Sequence, residues 1–247
     1  MAPAAFSTRP LVTKLLNYGP LSLEEEKALD QAASSFREVV AGEDMVLEGS
    51  SPDHSTLLLS GFAARYNLML DGKRQITSLH ITGDFVDLHS LLMRPMDHSI
   101  LALTTCTIAS FPHDRLISIQ ERFPNLARLL WLNTLVDGGA HRRWTVCVGS
   151  LQGPKHLAHL ICEMYLRLKQ IGRTDSWSFH IPLTQSLMSE ALAISTVHAN
   201  RVVQVLRHSQ LIRWERDLIT IMDWERLVDM AEFDPTYLRM PKDAAEA

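Results

Sequence analysis

The chain has 247 residues, with 24 Lys and Arg against 28 Asp and Glu, for a net charge of −4. Apolar residues make up 46% and charged residues 21%, which suits one large or two ordinary globular domains and excludes disordered, collagenous and disulfide-scaffold chains. The negative total also argues against a uniformly basic coat for nucleic acid. Cys106, Cys147 and Cys162 stand at no disulfide or metal-motif spacing, which points to a reducing compartment. No apolar core of a signal peptide follows Met1 and no run of 18 apolar residues occurs, so the expectation is a cytoplasmic protein with no membrane span.

In chain order, residues 1–21 carry Pro3, Pro10, Gly19 and Pro20 and read as an irregular arm. Ser22 with Glu25 three places on is a capping box that opens a short helix to about Ser34. From Phe36 to Pro112, short Val-, Leu-, Ile- and Thr-rich runs alternate with Gly42, Gly49, Gly61, Gly72 and Gly83, 7 to 12 residues apart. That spacing predicts a β-sandwich or barrel-like roll, with Asp71-Gly72 suited to a primed hairpin turn.

Residues 113–121 and 124–149 then read as helix, the second opening on Pro124. At about 26 residues and 1.5 Å per residue the second is about 39 Å long, more than a domain of short strands needs. Leu126, Leu130, Asn133, Asp137, Ala140 and Trp144 recur along it at 4-3-4-3 spacing, and Leu129, Leu132, Val136, Ala140 and Arg143 form a parallel stripe. The expectation is a helix over 124–152 that meets both its own domain and a partner helix, with the first stripe as the dimer seam; an ordinary core helix is the alternative. Gly138-Gly139 in its middle permits close helix approach or a hinge, or is simply tolerated.

Gln152-Gly153-Pro154 marks a domain boundary, followed by a helix from Pro154 to Gln170, a mostly helical domain over 153–233 and a loose tail at 234–247. The informative stretch is Leu183 to Ile212, LTQSLMSEALAISTVHANRVVQVLRHSQLI. Leu187, Ala191 and Leu192 form the inner face of one helix, Ala193-Ile194 a tight turn, and Ser195 the cap of a second helix with Ala199, Val202, Val203 and Leu206 inward. Thr196, Val197, Asn200, Arg201 and Gln204 face the other way. A polar front on a helix that follows a tight turn from another helix is a helix-turn-helix, whose second helix suits the major groove. Arg201 can fork onto guanine and Asn200 can pair with adenine. Residues 211–221 resemble a β-wing.

These features together resemble the CRP/FNR family of transcription regulators. The resemblance spans about residues 20–233 and is most specific in the "LTQ…S-x-V-H-x-N-R-V-x-Q-x-L-R…LI" stretch. It implies an α+β architecture with a jelly-roll-like β-roll sensor over residues 22–123, a long dimerisation helix and a winged helix-turn-helix. It also implies a homodimer on a palindromic operator in double-stranded DNA, with RNA polymerase as a further partner. It extends the DNA-facing set to Thr184, Gln185, Ser195 and His198, and it places an effector pocket at Asp84, Asp87, His89, His98 and Ser99. Where the cyclic-AMP-binding members carry an Arg-Ser pair this chain has His98-Ser99, and an imidazole does not replace a guanidinium fork on phosphate. Cyclic AMP in the familiar mode is therefore not expected. No cysteine precedes Cys106, so the family's iron–sulfur cluster is not expected either. Val197 stands where many members read a base with glutamate, and Ala193 where the turn usually has glycine.

His80 with Asp84, or Asp87 with His89, are conceivable metal pairs, and His80 or His89 a conceivable haem ligand, but mutual satisfaction of these polar groups is the larger reading and no metal set is assigned. An unknown small-molecule effector remains open. No nucleophile elbow, phosphate loop, dinucleotide fingerprint or zinc-protease motif occurs, so no enzyme is expected. The alternative function is a β-roll signalling module without direct DNA regulation. The charge distribution favours DNA: residues 183–216 hold four arginines against two glutamates, a surplus of +2, whereas residues 217–247 hold eight acids against three bases, a deficit of 5. The acidic end hides a small basic face in the total.

Overall fold

The computed structural model describes residues 7–240. Within them the chain divides into two units, one of residues up to Asn67 with Leu79–Leu135, the other of Leu68–Ser78 with the chain from Val136 onward.

The first unit opens with α1 (Arg9–Leu16) and α2 (Leu23–Ala32). The segment expected to be an irregular arm is thus half helix; residues 1–6 of that arm lie outside the described residues. Pro10 sits in the first turn of α1, where its missing N–H costs nothing, and Leu11, Val12 and Leu15 bury one face. Thr8 donates from N and Oγ1 to Asp30 Oδ1 on α2, at 2.9 and 2.7 Å. The Ser22–Glu25 capping box forms as expected, with both reciprocal hydrogen bonds.

The strands follow as β1 (Ser35–Val39), β2 (Asp44–Val46), β3 (His54–Ser60), β4 (Phe62–Leu68), β5 (Arg74–Ile81), β6 (Ser99–Ala102) and β7 (Cys106–Pro112), with a 3-10 turn at Leu88–Leu91. They form a sheet of order β1-β7-β3 and a sheet of order β2-β6-β4-β5. Alternation within β3 and β7 shows why two layers result. Leu58 and Ile108 join Val39, Val46, Ala63, Ile100 and Ala102 in a core shared by both sheets. Leu57, Leu59, Ala109 and Phe111 point the other way, into a core with Leu11, Leu15, Leu29, Leu116, Leu126 and Leu130. One strand thus feeds two cores because successive side chains alternate faces. The β4–β5 turn differs from the expected two-residue form. Gly72 N donates to Met69 O and Met69 N to Lys73 O, 2.9 and 2.8 Å, and only Gly72 has positive φ, at 81°. This is a three-residue loop ending in a left-handed glycine.

Two helices complete the first unit, α3 (His113–Arg122) and α4 (Pro124–Ser150), of which α4 continues into the second unit. The second unit adds α5 (Gly153–Gln170), β8 (Ser178–His180), α6 (Gln185–Leu192), α7 (Thr196–His208), β9 (Ile212–Glu215), β10 (Leu218–Ile221) and α8 (Trp224–Ala231), then a 3-10 turn at Pro235–Leu238. Its sheet has order β8-β10-β9, so the expected hairpin gains a third strand. Three residues are too short to show a period in the sequence. Glu163 on α5, fully buried, organises this unit. It accepts from Trp144 Nε1 on α4 at 3.1 Å, Arg167 Nη1 at 3.1 Å and Tyr237 OH at 2.7 Å. The expected loose tail is accordingly ordered through Met240, with Leu238 and Met240 buried; residues 241–247 of that tail lie outside the described residues. No helix among the described residues is long and apolar enough to cross a membrane.

Candidate functional site

The α6–α7 pair is built by two side-chain caps and one strained residue. Thr184 Oγ1 accepts from Leu187 N and Ser195 Oγ from His198 N, each at 3.2 Å. These bonds satisfy one otherwise orphaned N–H at each helix start. Between the helices Ala193 takes φ 55°, ψ 40°, and its N–H reaches Ser189 O. A left-handed alanine costs about 1–2 kcal/mol, and the packing of both helices holds it there. Met188, Ala191 and Leu192 are the buried residues of α6, so Met188 takes the inner place expected for Leu187, which is half-buried. On α7, Ala199, Val202 and Leu206 are buried, and Val203 lies at the edge of that face.

Thr184, Gln185, Ser195, Thr196, Val197, His198, Asn200, Arg201 and Gln204 are all exposed. Gln185 Nε2 donates to Asn200 Oδ1 at 3.1 Å, which joins the two helices. Asn200, Arg201, Gln204, Val205 and His208 line one shallow depression along α7. His198 leans toward α5: a Cβ on Gly153 would stand 3.1 Å from His198 Nε2 and 2.6 Å from Val202 Cγ2. Glycine at that position is what lets α5 begin against the back of α7. Beside the helix, Arg213 and Arg216 are exposed on the β9–β10 hairpin, and Trp214 Nε1 donates to Arg216 O at 3.0 Å to brace its turn.

The acid on α6 does not oppose this basic face. Glu190 lies 3.2 Å from Arg74 Nε, and Gln75 Nε2 donates to Glu190 O at 2.8 Å. Nothing in the sequence spacing linked Arg74 to Glu190, 116 positions apart.

The long helix corrects the expected dimer seam. Leu126, Leu130, Asn133, Ala140 and Trp144 are buried within the chain itself and Asp137 is half-buried. The 4-3 stripe is real but it faces inward. The parallel stripe of Leu129, Leu132, Val136, Ala140 and Arg143 is buried or half-buried as well, and the exposed apolar residues of α4 are Trp131 at 66% and Leu135 at 49%, with Val146 and Val148 further along. The spacing singled out neither Trp131 nor Leu135, and it is burial that sets them apart.

In the β-roll the five expected pocket residues separate into two groups. Asp84 accepts from Ile81 N at 2.9 Å and pairs with Lys14 Nζ of α1, so it closes its own turn and anchors the first helix. Asp87 is fully buried and accepts from Thr56 N through Oδ1. Burial raises its pKa to about 7 against that hydrogen bond. His89 and His98 come together with ring centroids 5.1 Å apart. Burial, with Arg65 and His89 nearby, lowers the His98 pKa to about 4 despite Asp97 at 2.7 Å, which keeps the ring neutral at pH 7. Ser99 Oγ accepts from Glu48 N at 2.9 Å, so its hydroxyl is tied to the β2 end.

Comparison with known proteins matches residues 36–123 to the "Cyclic nucleotide-binding domain" family model and residues 155–230 to "Crp-like helix-turn-helix domain". Among curated relatives, the transcriptional activator protein FnrL of Cereibacter sphaeroides is 24% identical over 214 residues, 85% of this chain and 86% of that one. A probable transcriptional activator of Rhizobium leguminosarum bv. viciae is 26% identical over 197 residues, 80% of each chain. Among solved structures, FixK2 from Bradyrhizobium japonicum superposes with a TM-score of 0.70 at 17% identity, over 79% of this chain and 96% of that one, a likeness of fold.

Proposed function

The chain belongs to the CRP/FNR family of transcription regulators, and from that premise we propose that it reads a two-fold operator as a homodimer, with α7 in the major groove. The observation that carries this reading is the exposed row Thr196, Val197, Asn200, Arg201 and Gln204 on a helix whose back and cap are fully engaged. A rigid helix with unspent donors on one side can exchange water for base edges without first breaking internal bonds. Arg213 and Arg216 lie along the flank, where phosphates run. A β-roll signalling module with no DNA role leaves that row and its basic flank unexplained. Val197 favours packing on a thymine methyl over accepting from cytosine.

The dimer forms along the outward stripe of α4, through Trp131 and Leu135. Two half-sites about one helical turn apart then turn weak single contacts into useful affinity. RNA polymerase is the partner that a promoter-bound regulator acts on, and the cytoplasm, where the chromosome lies, is the compartment this reading assigns. Substituting both Trp131→Glu and Leu135→Lys should convert a sedimenting dimer to monomer and abolish operator binding together. An intact dimer in that variant places the interface elsewhere. The direct test is a gel shift on the DNA upstream of its own coding region across a salt series. The reading predicts sequence-preferring, salt-sensitive binding; no binding even at low ionic strength overturns it.

A further inference from the structure

His89, on the 3-10 turn, and Asp97-His98, at the entry to β6, reach one place from separate segments. Each offers a ligand atom, and the three atoms lie within 4.8 Å of one another. The His98 side chain is only 7% exposed, and its Nε2 is buried with no hydrogen-bond partner. Its other nitrogen, Nδ1, lies 2.7 Å from Asp97 Oδ1. That carboxylate accepts the Nδ1 proton, so the lone pair is left on Nε2. A carboxylate behind an imidazole is the arrangement that orients a metal-binding histidine and raises its basicity. The His89 ring stands beside it, tilted by 40°.

We propose that His89 and His98 hold a divalent transition-metal ion of the zinc class, with Asp97 orienting the His98 ring from behind. Two imidazole ligands suit zinc, cobalt, nickel or copper rather than magnesium or calcium, which take oxygen ligands. So few protein ligands leave coordination positions to water or a small ligand. Of the pairs the sequence offered, His80 Nδ1 does lie 3.8 Å from Asp84 Oδ2, but Asp84 is also engaged by Lys14 and Ile81, and the pairing of His89 with His98 was not among them. That the ion is the effector of the β-roll rests on the operator-binding reading above; the binding itself does not.

The full chain, stripped with chelator, would be titrated with Zn²⁺ by calorimetry and with Co²⁺ by visible absorption. The expected result is one ion per chain with cobalt bands of imidazole coordination. His98→Ala and His89→Ala should abolish binding, Asp97→Asn should weaken it about 10- to 100-fold, and His54→Ala should leave it unchanged. Asp97 is exposed, so its variant keeps the test open if a histidine variant fails to fold. No binding to the wild-type chain, or undiminished stoichiometry in the His89→Ala/His98→Ala double variant, overturns the site. Gel shifts with and without Zn²⁺ separate the two readings. Zinc binding with unchanged operator affinity overturns the effector role alone, and zinc binding with no DNA affinity at all overturns the operator reading alone.

Discussion

Helix α7 and the polar cluster of the β-roll both carry histidines and a hydroxyl, but they hold their polar groups in opposite states. On α7 the polar groups are exposed and the buried positions are plain Ala199, Val202 and Leu206. In the β-roll, Asp87, His98 and Ser99 are buried among strands, and Asp87 Oδ2 and His98 Nε2 have no hydrogen-bond partner. Exposed donors are solvated until DNA replaces the water, so the helix keeps them at little cost. Buried, partly satisfied groups cost stability in every molecule that holds them. A surface for reading sequence can be added to a stable helix, whereas a buried polar pocket is sustained against folding.

Several substitutions sharpen or break this contrast. The largest effect is expected where a buried group is fully satisfied. Glu163→Ala removes the acceptor of Trp144, Arg167 and Tyr237, and should cost about 3–5 kcal/mol, measured by urea unfolding. A loss below about 1 kcal/mol would mean that water takes the place of the carboxylate.

Asp87 should behave in the opposite way. Its pKa rises from 3.8 to about 7 on folding. Between those values the folded chain holds a proton that the unfolded chain has lost, so stability falls as pH rises through this window and stays reduced above it. Asp87→Asn keeps the acceptor for Thr56 N and removes the titration. Its melting temperature should exceed that of the parent at pH 8 and match it near pH 4; an equal difference at both pH values would show that charge is not the cause.

On the exposed side, Arg201→Ala should leave stability unchanged and cost about 1–3 kcal/mol on the specific operator, with relaxed preference at one base pair. Uniform loss across all sequences, found by competition binding, would assign Arg201 to phosphate. The smallest effect belongs to the turn between α6 and α7. Ala193→Gly relieves the left-handed alanine but adds freedom to the unfolded chain, and should stabilise by less than about 1 kcal/mol in thermal melts. Destabilisation would mean that the Ala193 methyl packs usefully.

The helix-turn-helix was legible because its signals are local. Thr184 and Ser195 cap within three residues, and the buried positions of α7 recur at helical spacing. The capping box of α2 was legible for the same reason. Local signals failed where the chain is short or irregular. The three residues of β8 show no period, and α1 hides behind the prolines that read as an arm. Tyr237 looks like part of a tail until Glu163, 74 positions away, receives its hydroxyl.

The sequence alone determined most of the element types, α1 and β8 excepted, and the exposed polar side of α7, since hydrogen bonds and periodicities within a few residues specify each of them. Tertiary structure alone decided which side of α4 stays outside, since both stripes legible in the sequence are buried or half-buried. It also decided which acid meets Arg74 and which histidine meets His89. Those choices depend on what packs against each face, and packing partners distant in the chain leave no periodic trace in it. The net charge of −4 belongs to the same lesson: it is a sum over the chain, whereas DNA would meet only the face where Arg201, Arg213 and Arg216 are exposed and Glu190 is already paired with Arg74.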